Sequence, residues 1–299
     1  MTESVLVTGA DGFVGRHLVA RLGPRAVATE VDVTDAAAVA AAVRDARPAA
    51  VVHLAAQSSV AASWQDAVGA WHVNVVGTVA VLEGVRQEHP GARVVFPSTG
   101  EVYGRAEVVP TPETAPVAPV SPYAATKAAA EVACAQFARA GGHAVVTRSF
   151  NHEGPGRDER FAVGSWTRQI ARLEEEGGGI LEVGDLSAER DICDVRDVCR
   201  AYELLLDPRV EAGTYNVASG RAVAMSTIVE TLVGLARCRI DVEPRSDRMR
   251  PSDVPVLCGD RSKLERATGW RPQIPLEQTL AEALDYARRA LTREKTAAT

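Results

Sequence analysis

Two side chains four residues apart, Tyr123 and Lys127, could move a proton to or from a hydroxyl group. Their spacing places both on one face of the helix that the segment SPYAATK begins. An ammonium beside a phenol stabilises the phenolate, and lowering a tyrosine pKa from ~10 to ~7 requires about 4 kcal/mol. The chain has 33 lysines and arginines but only three lysines, so a lysine at this position is informative. We therefore expect Tyr123 to serve as an acid or base that Lys127 supports.

A second group of polar side chains lies in the segment PSTGEVYG, which ends an apolar run typical of a buried strand. The Thr99 hydroxyl could hydrogen-bond a reacting oxygen, and the Glu101 carboxylate could remove a proton. The alternative for Glu101 is an ordinary solvated loop acid. His53 also stands at a strand end, where we expect packing rather than proton chemistry.

Three glycines, Gly9, Gly12 and Gly15, directly follow the first predicted strand and open the first predicted helix. Glycines at this point permit a tight turn and let backbone N–H groups approach a diphosphate, which the helix N-terminus also attracts. The spacing is GxxGxxG rather than GxGxxG. The turn predicts a dinucleotide site that needs no basic patch.

Two acids, Glu30 and Asp32, stand about 20 residues beyond the glycines, where a carboxylate can bind the adenosine ribose. No lysine or arginine follows at once to hold a 2′-phosphate. The sequence therefore favours NAD over NADP, although both acids could be solvated loop residues.

Short apolar runs alternate with helical patterns as far as Phe150, which predicts βαβ units and a parallel sheet. The fold class is α/β, a Rossmann-type doubly wound sheet with a smaller α+β C-terminal substrate lobe. We assign 1–150 and about 188–212 to the sheet domain, and 151–187 and 213–299 to the lobe. The segment Asn151–Arg160 is predicted to be a loop, and Thr34 is predicted to cap the second helix.

Composition excludes several other classes of protein. The chain has 299 residues, 46% hydrophobic and 24% charged, with a net charge of −6 and no basic stripe, so nucleic acid is a poor partner. No run reaches the ~20 apolar residues of a membrane span, and no signal peptide precedes the first strand. Five scattered cysteines predict reduced thiols rather than a disulfide framework. We expect a cytoplasmic protein with no metal site and a frayed tail after Arg293.

Taken together, the motifs resemble the extended short-chain dehydrogenases/reductases of the NAD-dependent epimerase/dehydratase family. The motifs that carry the resemblance are TGADGFVG, HLAAQSSV, NVVGT, STGEVYG, SPYAATK, RSFNHEGPG, RDICDVRDV, YNVASG, RPSDVP and GWRPQIPLE. The branch that they resemble most comprises GDP-mannose 4,6-dehydratase and GDP-4-keto-6-deoxymannose reductase. The resemblance implies a Rossmann sheet, a lobe that binds a nucleotide sugar, and a homodimer formed by the helices within 63–85 and 123–139.

The resemblance also implies roles for individual residues. Thr99, Tyr123 and Lys127 would be the catalytic trio, with Glu101 beside them. The expected cofactor-binding residues are Gly9, Asp11, Gly12, Phe13, Val14, Gly15, Glu30, Asp32, Val33, Leu54, Ala55, Ala56, Tyr123 and Lys127. The expected substrate-binding residues are Ser58, Thr99, Gly100, Glu101, Asn151, Arg190, Arg250 and Asp253.

Several reactions fit these residues, and all involve C4 of a sugar on a nucleoside diphosphate, GDP being the favoured carrier. A 4,6-dehydratase would use Glu101 to remove the C5 proton, a 4-epimerase would not need Glu101, and a reductase would consume external NAD(P)H. Glu101 leads us to favour the dehydratase, although Gly100 stands where dehydratases of this group usually have Asp or Ser. The basic loop that follows the second strand in the GDP-mannose dehydratase is also missing here. A dinucleotide sensor without catalysis is the alternative from another class.

Overall fold

The computed structural model describes residues 4–248 and 254–297, in which strands and helices alternate through the first half of the chain. The strands are β1 (Val5–Thr8), β2 (Ala26–Thr29), β3 (Ala50–His53), β4 (Arg93–Thr99), β5 (His143–Ser149), β6 (Asn151–Glu153), β7 (Gly179–Val183), β8 (Glu189–Asp194), β9 (Gly213–Val217), β10 (Ala222–Ala224), β11 (Ile240–Pro244) and β12 (Val256–Leu257). The helices are α1 (Phe13–Leu22), α2 (Ala36–Ala46), α3 (Val60–Gln65), α4 (Ala67–Trp71), α5 (Gly77–Glu88), α6 (Pro122–Arg139), α7 (Ala162–Glu176), α8 (Val195–Leu204), α9 (Met225–Gly234), α10 (Ser262–Thr268) and α11 (Leu276–Ala297).

Six strands form one parallel sheet in the order β2-β1-β3-β4-β5-β9. The direction of strand progression reverses between β1 and β3. Ligands of open parallel sheets bind outside the carboxyl ends of the strands at such a reversal. The predicted α/β doubly wound fold is therefore confirmed, and its topology places the binding crevice directly after β1 and β3.

The sheet is buried on both faces, which explains why its strands read as unbroken apolar runs. One face packs against α1 and α8, with Leu18 and Trp270 fully buried there. The other face packs against α2, α5 and α6 through residues such as Val39, Val85 and Phe137. These two layers hold the strand ends rigidly around the crevice.

The second half of the chain builds a smaller lobe around β8. Strand β10 pairs antiparallel with β8, whereas β12 and β6 pair parallel with it, and β7 pairs with β11. Helices α7, α9 and α11 cover a core that includes Ile170, Leu181 and Leu284. The lobe is thus α+β, as the sequence predicts.

Strand β9 differs from the predicted division of the chain. It pairs with β5 and forms the outer strand of the six-stranded sheet, although the sequence assignment gave 213–299 to the lobe. The segment after it also returns to the sheet, because the Trp270 indole N–H donates to the Asp197 carbonyl on α8 at 2.9 Å.

Three local predictions are corrected by the structure. Residues 151–153 form β6 rather than loop, because β8 offers them a parallel partner with Asn151 opposite Ile192. Asp35, not Thr34, caps α2, since its carboxylate accepts hydrogen bonds from the N–H groups of Ala37 and Ala38. The last helix continues through Ala297 instead of fraying after Arg293.

The helical stretch Ala67–Glu88 is long and apolar enough to cross a membrane by length and composition, with a mean hydropathy of 1.3. Half of that window is buried in the protein. It comprises α4, a π-helical turn (His72–Val76) and α5, and it packs against α2 and α6. All five cysteines are free thiols, and four of them are buried, Cys238 being half-buried.

Candidate active site

The glycine turn lies at one end of a cleft of about 1490 Å³. Gly9 has a φ of +64°, and a Cβ there would lie 2.7 Å from the amide nitrogen of Ala55, so only glycine fits. Gly12 is the N-cap residue of α1, and no side chain there accepts a hydrogen bond from the helix. The N–H groups of the first helical turn therefore stay available to an anion, which is the arrangement that a dinucleotide diphosphate requires.

The cleft gathers most of the residues predicted to bind the cofactor. Its lining includes Gly9, Asp11, Gly12, Phe13, Val14, Gly15, Glu30, Leu54, Ala55, Ala56, Tyr123 and Lys127. Two predicted residues lie elsewhere. The Asp32 carboxylate accepts hydrogen bonds from the N–H and hydroxyl of Thr34, and Val33 is buried in the core against Gly77. Val31, rather than Val33, lines the cleft next to Glu30.

Thr99, Tyr123 and Lys127 meet in this cleft at the carboxyl end of β4. The Thr99 hydroxyl accepts a hydrogen bond from the N–H of Glu101. Thr99 thereby caps the short 3₁₀ turn Gly100–Tyr103. Ser121 caps α6 through the N–H of Ala124, so Tyr123 and Lys127, the predicted catalytic pair, stand on the first turns of a well-anchored helix.

Burial, not Lys127, has the largest effect on the proton affinity of Tyr123. Burial raises the pKa of the phenol, and the Glu101 carboxylate and Tyr202 raise it further. A hydrogen bond with Thr99 and the charge of Arg157 lower the pKa of this phenol by less. In the protein alone Tyr123 is therefore a neutral phenol at pH 7. Support of the phenolate by Lys127 together with a positive nicotinamide ring stays a prediction.

Lys127 is itself buried, and its Nζ lies 4.5 Å from the centroid of the Phe96 ring. Burial lowers the pKa of this ammonium to about 8, although Cys134 and Glu131 oppose the change. Its charge is thus held in a site with little water, where it acts strongly on any group that enters the cleft.

His53 is a buried structural residue, as the sequence predicts. Its Nδ1 lies 2.8 Å from the Thr8 hydroxyl, and its Nε2 lies 3.2 Å from the Thr78 hydroxyl. The Thr78 hydroxyl donates its one hydrogen to the Asn74 carbonyl at 2.6 Å, so it can only accept from His53. His53 therefore donates from Nε2 and accepts at Nδ1. Burial lowers the pKa of His53 to about 3, which keeps the ring neutral.

The same polar chain continues to the catalytic helix through Asn74, which lies in the π-helical turn. Its amide nitrogen donates to the carbonyl of Gln57 and to the Thr126 hydroxyl, and Thr126 donates to the Tyr123 carbonyl at 2.7 Å. The Tyr123 N–H donates to Ser63 on α3 at 3.1 Å. The backbone of Tyr123 is thus fixed from both sides.

Gly100 is a glycine because the space for a side chain is filled. A Cβ at this position would lie 2.8 Å from Cε1 of Phe150, whose ring is also wedged against Gly259. Phe150 is 2% exposed and stacks on Tyr103. The ring of Phe150 therefore occupies the space that a polar side chain between Thr99 and Glu101 would need.

Of the residues predicted to bind substrate, Ser58, Thr99, Glu101, Asn151 and Arg190 line the cleft. The Arg190 guanidinium donates to the Val254 carbonyl at 2.8 Å. Gly100 is buried behind Phe150, and Arg250 and Asp253 lie outside the described residues.

Sequence reasoning missed four further residues that line the cleft, namely His152, Glu153, Arg157 and Tyr202. The Tyr202 hydroxyl is 2.8 Å from that of Ser149. The first three fall in the stretch NHEGPGR, which also contains the predicted substrate-binding residue Asn151. Their place in the cleft depends on contacts with residues distant along the chain, such as that of Arg157 with Phe13, which the stretch itself does not reveal.

Comparison with known proteins agrees with this geometry. A model of the family described as GDP-mannose 4,6 dehydratase matches residues 23–283. The chain belongs to this family.

One relative is the GDP-6-deoxy-D-mannose reductase of Pseudomonas aeruginosa, which is 34% identical over 95% of this chain and 97% of its own. A solved structure of RMD from Pseudomonas aeruginosa with NADPH superposes with a TM-score of 0.87, at 33% identity, covering 97% of this chain and 100% of that one. The UDP-glucose 4-epimerase of Thermus thermophilus with NAD gives 0.85 at 31% identity, covering 96% and 99%. A nicotinamide dinucleotide is thus the cofactor of this fold, and NAD agrees with Glu30 in the cleft.

The packing at Gly100 yields a first prediction. Gly100→Ala should lower the free energy of unfolding by about 1–3 kcal/mol, because the new Cβ must displace the Phe150 ring. The measurement is urea unfolding, with Gly91→Ala as the control, since nothing lies within 4 Å of that position. Adding Phe150→Leu should recover part of the loss. A Gly100→Ala protein as stable as the wild type would contradict this account.

Glu153 yields a second prediction, on pH. Burial raises the pKa of this carboxyl to about 7, while Arg157 opposes the change. Below pH 4.5, the ordinary pKa of a glutamate, Glu153 holds its proton in both the folded and the unfolded protein. As the pH rises towards 7, only the unfolded protein releases this proton. The free energy of unfolding should therefore fall over this window by up to about 3 kcal/mol relative to Glu153→Gln.

Urea unfolding of the two proteins at pH 4.5 to 8 measures this difference. Glu159→Gln, an exposed position in the same segment, is the control and should show no such divergence. Parallel stability profiles for the wild type and Glu153→Gln would show that Glu153 keeps an ordinary pKa.

Proposed function

We propose that the protein reduces the keto group of a GDP-linked 4-keto-6-deoxy sugar to a hydroxyl. The observation that carries this proposal is the similarity to the GDP-6-deoxy-D-mannose reductase, which extends over nearly the full length of both chains. The dehydratase that the sequence favoured is not confirmed. The packing of Gly100 against Phe150 supports the reductase, because it leaves no room for a further acid beside Glu101.

Reduction requires a proton donor, and Tyr123 is suited to that role. Its phenol is protonated at pH 7 and hydrogen-bonds Thr99, so both hydroxyls can be directed at one carbonyl oxygen. Tyr123 would deliver its proton to this oxygen as negative charge develops there. The buried ammonium of Lys127 would stabilise the phenolate that remains.

The dinucleotide, when bound, supplies the hydride. Gly9, Gly12 and the open first turn of α1 would hold its diphosphate, and Glu30 would accept hydrogen bonds from the adenosine ribose. A carboxylate at that position disfavours a 2′-phosphate, so we infer that NADH is used in preference to NADPH.

The substrate diphosphate would lie on the lobe side of the cleft, near Arg190 and Asn151. Arginine matches phosphate oxygens with its planar fork of donors. Ser58 would contact the sugar. By the family resemblance, Arg250 would also contact the diphosphate-sugar, and Asp253 would contact a ribose.

A 4,6-dehydratase is the second candidate, and one observation favours it. Glu101 lies close enough to Tyr123 to raise the pKa of the phenol, so it could also reach C5 of a bound sugar. In that case Glu101 would remove the C5 proton after oxidation at C4, and water would leave from C6. The hydride taken from C4 would then return to C6 while a proton returned to C5, which leaves the dinucleotide unchanged overall.

The two candidates differ in what they consume, which gives a third prediction. The protein should convert a GDP-4-keto-6-deoxy sugar only when NADH or NADPH is added. Tyr123→Phe should lower kcat by about 100-fold or more with dinucleotide affinity unchanged, whereas Glu101→Gln should stay within about threefold of the wild type. Product and reduced dinucleotide are followed by nuclear magnetic resonance and absorbance.

Incubation with GDP-mannose in heavy water tests the alternatives. Deuterium at C5 with loss of water, abolished in Glu101→Gln, would establish the dehydratase instead. Inversion at C4 without exchange at C5 would establish an epimerase. Full activity of Tyr123→Phe would overturn its role in every version, and dinucleotide binding without turnover of any of these sugars would indicate a sensor.

We also propose that the protein is a cytoplasmic homodimer. An apolar surface is exposed on α3 to α5 and on α6, where Val68 is 81% and Val132 is 68% exposed. Trp71, Val76 and Val79 continue the same surface. Contiguous apolar surface of this kind marks protein–protein contacts, and these are the helices implied by the resemblance.

A fourth prediction tests this surface. Val68→Glu and Val132→Glu should convert a dimer into a monomer, because a buried unpaired carboxylate opposes association. Light scattering after size exclusion gives the mass. Val242→Glu, at an exposed valine on β11, is the control and should leave the mass unchanged. A monomeric wild type would contradict the proposal.

A further inference from the structure

Glu131 is a largely buried acid on α6, one helical turn beyond Lys127. Residues four apart lie on one face of a helix, and this face packs on β4. The Lys127 Nζ lies over the ring of Phe96, and the Glu131 carboxylate accepts a hydrogen bond from Ser98 at 2.5 Å. Phe96 and Ser98 are two apart in the strand, so they point to the same side of the sheet. Glu131 and Lys127 are thus neighbours beside the cleft, which Ser98 lines.

The carboxylate of Glu131 is also held by the adjacent strand, β5. Arg148, which lies opposite Ser98 in the sheet, donates to the carboxylate from Nε at 3.1 Å and from Nη2 at 2.7 Å. The side chains of Arg148 and Glu131 are 8% and 11% exposed. The guanidinium also stacks 4.7 Å from the centroid of the Tyr103 ring. This ion pair fixes a negative charge in the interior, where water screens it little.

The other titratable groups around Lys127 are neutral near pH 7. Burial raises the pKa of the Cys134 thiol on α6 to about 12 and lowers the pKa of His53 on β3 to about 3. Tyr123, one turn back on α6, is a neutral phenol. Burial lowers the pKa of Lys127 to about 8, and Glu131 opposes this change. Among these four neighbours, Glu131 is therefore the one whose charge can balance the ammonium.

We propose that Glu131 is a positioning residue, whose buried carboxylate balances the charge of Lys127 and keeps this lysine an ammonium during the reaction. The inference rests on the role proposed above for Lys127, which is to stabilise the phenolate of Tyr123. Arg148 and Ser98 would serve the same role by holding the carboxylate in its ionised form and in one orientation. The ion pair between α6 and the sheet would thus act on the cleft as well as on the fold.

The scarcity of lysines allows a direct test in the protein alone. The three lysines are Lys127, Lys263 and Lys295, so a protein labelled with ¹³C at lysine Cε gives three nuclear magnetic resonance signals. The signal that is missing from Lys127→Gln identifies Lys127. In Glu131→Gln the titration midpoint of Lys127 should fall by about one pH unit or more, because an opposite charge has been removed.

The same change should appear in the reaction. Loss of the Lys127 proton removes support from the Tyr123 phenolate, so kcat should decline as the pH rises through the titration of this lysine. In Glu131→Gln this decline should begin about one pH unit lower than in the wild type. If the protein proves to be a dehydratase or an epimerase, the same shift is expected with that substrate, since Tyr123 acts in each reaction.

A second variant separates the balance of charge from folding, because Glu131→Gln also leaves Arg148 buried without its partner. Should Glu131 serve only to satisfy Arg148, then Glu131→Gln combined with Arg148→Met would restore the wild-type titration of Lys127, and the proposal would be overturned. We expect the double variant to keep the lowered midpoint, since the charge that opposes the effect of burial on Lys127 is that of Glu131. Circular dichroism confirms folding, and the double variant decides if Glu131→Gln does not fold.

Glu174→Gln is the matched control. It breaks another buried ion pair, with Arg288 in the lobe, where the two side chains are 8% and 16% exposed. This variant should lose stability but leave the titration of Lys127 and the pH profile of kcat unchanged.

Two results would overturn the inference and leave the proposed reaction standing. An unchanged midpoint of Lys127 in Glu131→Gln would show that the carboxylate does not balance the ammonium. A lowered midpoint with an unchanged pH profile of kcat would show that the balance has no part in the reaction. A failed reductase assay, with the midpoint and the profile for another sugar both shifted, would place the error in the proposed reaction and support the role of Glu131.

Discussion

A single buried polar chain fixes the geometry on which the site depends. It runs from Thr8 at the end of β1 through the neutral ring of His53 to Thr78 and Asn74, and from there to the catalytic helix. The donor and the acceptor of each hydrogen bond in this chain are fixed, because each hydroxyl has a single hydrogen to donate. The ends of two strands and the start of α6 therefore cannot shift independently, and the glycine turn and Tyr123 keep a constant separation.

The second constraint is the low polarity of the cleft wall. Burial raises the pKa of Tyr123 and lowers that of Lys127, so both groups are biased towards their neutral forms. A buried acid of this kind is well matched to a reaction in which oxygen gains negative charge, since proton release is then driven by the substrate. Electrostatics in such a site depends on what occupies it, and each arriving charge has a large effect.

The parts of the structure that follow from local patterns were predictable. Helix α6 begins at Pro122 and ends at Arg139 as expected, because Ser121 and Pro122 form a strong start signal and a glycine pair follows its end. The glycine turn and the cluster of Thr99, Tyr123 and Lys127 were predicted for the same reason: each is specified by a short motif.

What the sequence could not supply depends on residues distant along the chain. Asn151–Glu153 is a strand only because β8 lies beside it, and Val33 is in the core only because α5 approaches it. Arg157 lies at the wall of the cleft in contact with the ring of Phe13, more than 140 positions away along the chain. The large effect of burial on the pKa of Tyr123 could not be predicted either, because spacing on a helix indicates neighbours but not burial.

Strand β9 makes the sheet domain and the lobe depend on each other for folding. The polypeptide leaves the nucleotide sheet after β5, builds part of the lobe, returns through α8 and β9, and then goes back to finish the lobe. The halves are interleaved, so neither can be excised as a continuous piece and fold with its full complement of partners. Any movement between them must accordingly bend several chain segments at once, rather than one linker.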